Sequence, residues 1–277
     1  MPEPPEDASV DPTLQTAEIR SAGTFSLLAG LCPLIPLPFI DDWAENVVRR
    51  RAVRDALADR GMEATPGDVE ILAGLEKGAA AGGCLKRAIL FPFVKIFYYV
   101  LKKMVRKIIY VLAVNDAAEV ATSVLQENWL LRRALAAGEL AVPPGQRLDR
   151  DAARRLRAAI DAAIADTTTA PIQRAVGKAF RGSRKVLMRA ARVLGLWAKD
   201  ERKAVGTSSE GKERAAEELP VDEERRQLSG LVDGLVSAVM LERDHLASLE
   251  RRFDAELAAR QAPPTPGVDA SVGDQRA

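Results

Sequence analysis

The 277-residue chain has little of what most enzymes use: one histidine, two cysteines and few aromatic residues. His245 alone excludes multi-histidine metal sites and HExxH chemistry. A Ser-His-Asp triad would need His245 as its base, and no GxSxG elbow is present. The glycine-rich run Gly78 to Cys84 lacks the Gly-Lys-Ser/Thr ending that grips phosphate and magnesium, and no GxGxxG follows a strand. Helix capping accounts for the carboxylates of Asp41 and Asp42. These absences argue for a protein without catalytic residues, metal or cofactor. Cys32 and Cys84 form no CxxC pair and are too few for a disulfide scaffold, so the chain reads as one from a reducing compartment. Each cysteine reads as a small buried hydrophobe.

Aromatics make up only 5% of the chain while hydrophobic residues make up 47%, so the core must be built mainly from Ala, Leu and Val. No strand-period alternation is present. The expected fold is all-α, a multi-helix bundle of about seven or eight helices, with a long amphipathic hairpin and a C-terminal coiled-coil-like helix. The Ala- and Arg-rich vocabulary looks bacterial. The start, MPEPPEDASVD, has no basic region before an apolar stretch and does not read as a secretory signal. The expected organisation is a disordered acidic tail (1–19), a helical domain (20–203), a linker (204–221), a C-terminal helix (222–260) and a disordered tail (261–277).

Carboxylates are missing between Lys77 and Asn115, where eight basic residues and all three tyrosines lie. The whole chain has a formal net charge of +1, so this is local segregation of charge. On a helical wheel for Phe93 to Val114, one sector holds Lys95, Lys102, Lys103, Arg106 and Lys107, with Tyr99 and Tyr110 among them. Phe97, Leu101 and Met104 fall in the apolar sector. Such a helix suits an anionic membrane surface, with its cations toward phosphates and its tyrosines at the boundary. The lysines interrupt every apolar run, which disfavours a plain membrane span. Pro171 to Lys199 reads as a second basic helix. Arg174, Lys178, Arg181, Lys185, Arg189 and Arg192 form a stripe on it, opposite Val176, Phe180, Leu187, Leu194 and Trp197.

Charge of either sign is absent from Ser21 to Ile40. This is long enough to span a bilayer, but Pro33, Pro36 and Pro38 argue instead for a helix to about Leu31 and an extended apolar corner. That corner either packs in protein or dips into the interface. Asp41 and Asp42 then open a helix closed by Gly61. Thr65-Pro66 opens another, in which Gly74, Gly78 and Gly82 form a smooth packing face. Asp116 and Glu119 have capping-box spacing and predict a break near Val114. Asp149 caps a helix to about Asp166. Heptad spacing of Val232, Val239, Leu246 and Phe253, with Leu228, Leu235 and Leu249, forms a partial seam.

From Leu31 to Gly61 the pattern Leu-Cys-Pro-Leu-Ile-Pro-Leu-Pro-Phe-Ile-Asp-Asp, then Arg-Ala-Val-Arg-Asp-Ala-Leu-Ala-Asp-Arg-Gly, resembles bacterial helical modules. Those carry a Pro-Ile-Pro-x-x-Asp turn before an Arg-containing helix. They are often membrane-associated and found beside GTPase domains. Here Ile35-Pro36 is followed by Asp41 one position late. The resemblance implies membrane association. The chain has no GTPase domain of its own, so a GTPase would be a partner.

The expectation is a non-enzymatic peripheral protein at the cytoplasmic face of the inner membrane, binding anionic lipid through its basic helices. A second reading is a cytoplasmic soluble scaffold that dimerises or recruits a protein partner through 222–260. A third is an integral protein with residues 21–40 re-entrant. Nucleic acid is disfavoured, because no DNA or RNA module is present and the overall charge is nearly balanced.

Overall fold

The computed structural model describes residues 12–35, 40–76, 106–140, 147–205, 208–219 and 221–261. Among these residues the protein is an all-α bundle of ten α-helices and one 3-10 turn, without strands. The helices are α1 (Pro12–Leu31), α2 (Ile40–Ala58), α3 (Pro66–Leu72), α4 (Arg106–Ala136), α5 (Arg150–Ala165), α6 (Ala170–Gly182), α7 (Arg184–Val205), α8 (Ser209–Glu218), α9 (Val221–Met240) and α10 (Arg243–Gln261). The number exceeds the seven or eight expected because three segments divide or fold where the sequence reads as continuous helix or linker.

The uncharged run after Ser21 becomes the central helix. Phe25, Leu27, Leu28, Leu31 and the intervening Thr24 and Ser26 are all buried. A helix that is apolar on every side must be covered on every side. Here α2, α4, α7 and α9 cover α1. Burying Phe25, Leu27, Leu28 and Leu31 contributes roughly 1.5–3 kcal/mol each. A 3-10 turn, Cys32–Leu34, follows, and Ile35 is extended and buried. Most of residues 21–35 are therefore covered by the neighbouring helices, and residues 36–39 of the uncharged run lie outside the described residues. No helix among the described residues is long and apolar enough to cross a membrane. Helix α1 also begins at Pro12, within the expected 1–19 tail.

Helices α1 and α4 come into close contact at Gly30. A Cβ there would lie 2.8 Å from the Ala117 carbonyl oxygen and 2.8 Å from the Ala121 methyl. One turn earlier, Ser26 Oγ donates to the Ala121 carbonyl at 2.6 Å. This contact explains why α4 runs unbroken past Asp116 and Glu119, so the expected hairpin is not formed. Both side chains are exposed, while Ala117, Ala118 and Ala121 are buried. Packing of that alanine row outweighs a cap worth about 1 kcal/mol.

Other elements follow their local signals. Thr65 and Asp68 form a reciprocal capping box on α3, with Pro66 in the first turn. Asp149 Oδ1 accepts from the Asp151 amide at 2.9 Å at the start of α5. Gly61, Gly74 and Gly138 have φ of 65°, 69° and 80° and close α2, α3 and α4. Gly74 is thus a helix stop, and the expected continuous face with Gly78 and Gly82 is not formed there. Gly78 and Gly82 themselves lie outside the described residues.

The C-terminal third departs most from expectation. The presumed single helix 171–199 breaks at Ser183, with φ −120° and ψ 23°, into α6 and α7. The presumed linker 204–221 contains α8, whose Ser208 side chain accepts from the Gly211 amide. The expected 222–260 helix breaks at Leu241–Glu242 into α9 and α10. Its seam residues Leu228, Val232, Leu235, Val239, Leu246, Leu249 and Phe253 are all buried within the bundle. Helix α9 lies on α1 and α6, and α10 lies on α5.

Candidate functional site

Most arginines of the bundle core are committed to structure. On α2, Arg49 pairs with Glu127 of α4 and with Glu45 at 3.1 Å. Buried Arg50 reaches Glu70 at 2.6 Å, and Arg54 binds Glu213 and Glu217 of α8. Buried Arg132 of α4 binds Asp55 at 2.7 Å and Asp59 at 2.6 Å. Arg157 of α5 contacts Glu127 at 3.1 Å and Asp161 at 2.6 Å. Burial disfavours the Glu127 charge, but Arg49 and Arg157 outweigh it and hold the carboxyl down to about 2. These pairs join α2, α4, α5 and α8. Among the described residues no cluster of three or more His, Cys, Asp and Glu is placed to hold a metal. Cys32 is buried and unpaired with another cysteine, and its thiol lies 3.5 Å from the Leu28 carbonyl.

The cations of α6 and α7 are different. No carboxylate occurs from Thr167 to Lys199. Arg174, Lys178 and Arg181 on α6 and Arg189, Arg192 and Lys199 on α7 are all exposed. None of the six has a carboxylate partner among the described residues. Among the described residues the one side-chain bond these six make is Arg174 Nε to the Ala170 carbonyl at 3.2 Å. The break at Ser183 divides the expected single stripe into two rows, Arg174–Lys178–Arg181 and Lys185–Arg189–Arg192. The side chain of Lys185 lies outside what is described.

The same α7 surface carries apolar side chains. Val186 is 45% exposed, Met188 38%, Val193 41% and Leu196 55%. Of all large hydrophobics among the described residues, only Leu241 joins them as exposed. Val186, Arg189, Val193 and Leu196 follow spacings of three, four and three and so share one line along the helix. The inner face, Leu187, Ala190, Ala191, Leu194 and Ala198, is buried. Gly195 packs against the corner after α1, where a Cβ would come 2.8 Å from Ile35 Cγ2. Trp197 lies 6.0 Å, centroid to centroid, from Trp43 of α2. With its inner face committed in this way, α7 turns a mixed apolar and cationic face outward.

These outward apolar residues were missed at the level of sequence. From Val186 to Ala198 the helix carries more apolar residues than one buried face can take, and that surplus was the available signal. Of the first cationic helix, Lys95, Phe97, Tyr99, Leu101, Lys102, Lys103 and Met104 lie outside the described residues. Arg106, Lys107 and Tyr110 belong to the first turns of α4. Two turns later, Val114, Asn115 and Ala118 face α6 across a groove of about 340 Å³, opposite Ala170, Arg174, Gly177 and Arg181. The described start of the first basic segment thus leads to a groove bordered by the second. Comparison of the chain with protein-family models, curated proteins and solved structures finds no match.

Proposed function

We propose that this is a non-enzymatic protein that binds anionic membrane surfaces peripherally, from the cytoplasmic side, through the outer face of α7 and the cations of α6. The observation that carries the reading is the coincidence, on one helix, of exposed apolar side chains and unpaired cations. A bundle surface that only meets water has no use for Val186, Val193 and Leu196 side by side. Most arginines of the core have acids beside them, whereas these have none among the described residues. Each cation near an anionic surface contributes about 1 kcal/mol. Three half-exposed aliphatic side chains contribute roughly 1 kcal/mol each on insertion. Either set alone is marginal, and stable peripheral binding takes two such signals. The cationic sequence from Phe93 to Val114 would add to the same attraction.

Co-sedimentation with vesicles tests the reading. The full chain is expected to pellet with phosphatidylglycerol-containing vesicles and to stay in the supernatant with phosphatidylcholine alone. It should leave membranes on alkaline carbonate extraction, unlike an integral protein. Absence of binding to both vesicle types would sink the proposal.

A further inference from the structure

We infer that the groove between α4 and α6 holds a single anionic phospholipid, with its phosphodiester between Arg174 and Arg181 and an acyl chain on the floor. This rests on, and deepens, the membrane-surface reading. Besides the two arginines the lining is mainly apolar, with Val114, Ala118, Ala170 and Gly177 joined by Asn115 and Gln173. The absence of a side chain at Gly177 sets the depth. A Cβ there would meet the Ala118 methyl at 3.8 Å, so a methyl fits in ordinary contact and a leucine would have to project into the groove. Arg181 Nη2 lies 4.0 Å from that same point, so its guanidinium folds back over the groove. Arg174 bonds the Ala170 carbonyl through Nε, and among the described residues no side chain or carbonyl takes up its terminal nitrogens. The two residues are two turns apart, roughly 10 Å along the axis. A phosphodiester lying between their long side chains is within reach of both.

Charge decides the occupant. Among the described residues no carboxylate lines the groove, and the two guanidiniums stand beside apolar surface without a described counter-charge. The chain's own segment 77–105 carries six basic residues and no carboxylate, which makes it a repulsive occupant. A lipid without phosphate would leave both guanidiniums unanswered, and in a zwitterionic one the quaternary ammonium offsets the phosphodiester charge and is repelled by the second guanidinium. An anionic amphiphile answers both the charge and the apolar floor. The groove's volume lies at the lower end of small-molecule sites, enough for a headgroup and part of one chain.

Calorimetric titration of the full chain with dihexanoylphosphatidylglycerol, below its micelle concentration, tests this. Saturable binding of one lipid per chain is expected, at least tenfold tighter than for dihexanoylphosphatidylcholine. Arg174→Gln with Arg181→Gln should weaken it at least tenfold, and Gly177→Leu should abolish it. Gly177→Ala, which the contacts tolerate, should weaken it severalfold even if the leucine variant does not fold. Arg243→Gln, an exposed arginine on α10, should change nothing. Unsaturable binding, or unchanged affinity in the arginine and Gly177→Ala variants, overturns the inference. So does inorganic phosphate binding as tightly as the lipid, since that marks a plain anion site. Vesicle binding without short-chain lipid binding would overturn the groove and leave the α7 surface standing. Short-chain binding without vesicle binding would do the reverse.

Discussion

Glu127 is the residue on which the α2–α4–α5 contact turns. It accepts from Arg49, from Arg157 at 3.1 Å and from Ser123 Oγ at 2.7 Å. Glu127→Gln would leave two largely buried guanidiniums facing a neutral amide. Loss of one partner of a buried pair costs about 3–5 kcal/mol, so urea denaturation should show a loss of that order. The carboxyl is held at about 2 in the folded chain, against about 4.3 when unfolded. A depressed acid stabilises the fold above its unfolded value and loses that contribution as pH falls toward the folded one. Stability should therefore decline between about pH 4.5 and 2, and Glu127→Gln should flatten that part of the profile. A wild-type curve already flat there would contradict the assignment. The arginines of α2 were legible as macrodipole complements but not as cross-links. Their partners lie 78, 20 and 163 residues away for Arg49, Arg50 and Arg54, and no local pattern carries that distance.

Elements show where local signals suffice and where packing overrules them. At Gly30, Phe180 Cζ also lies 2.7 Å from where a Cβ would stand, so α1, α4 and α6 converge there. Gly30→Val should cost at least the 1–3 kcal/mol typical of overpacking, measured as a lower urea midpoint with an unchanged slope. A midpoint equal to wild type would contradict the close approach. Capped helices with polar turns, α3 and α5, were legible in the sequence because their signals lie within four residues. The continuity of α4 was not, because the alanines that bury against α1 compete with a valid capping pattern. The polar composition of α8 hid a helix held through buried Ala215 and Ala216 and the Arg54–Glu213 pair. On α7 the outward face contributes little to the fold. Val193→Asp with Leu196→Asp should therefore leave chemical stability within about 1 kcal/mol of wild type. The same pair should lower affinity for anionic vesicles at least tenfold, about 1.4 kcal/mol. Matched losses of stability and binding would argue that the face is structural.

For the whole molecule, the described carboxylates and arginines of α2, α4, α5 and α8 are largely spent on one another, while α6 and α7 hold cations that are not. A near-neutral chain thus presents a one-sided charge. Its attraction to anionic vesicles should fall steeply from 0.05 to 0.5 M salt, over which the Debye length shortens from roughly 14 to about 4 Å. Affinity independent of salt would count against it. The candidate surface was half legible in sequence: the cations were visible, but the apolar line beside them emerges only once α7's inner face is known to be filled. The most direct measurement is an environment-sensitive fluorophore on Leu196→Cys, in a Cys84→Ser background, mixed with phosphatidylglycerol vesicles. Exposed Ala137, just past the end of α4 and about 35 Å along its axis from Val114, carries the same label as a control. The account predicts a blue shift and quenching by lipid-borne quenchers at position 196 but not at 137. Vesicle-bound protein with no change at 196 would contradict it.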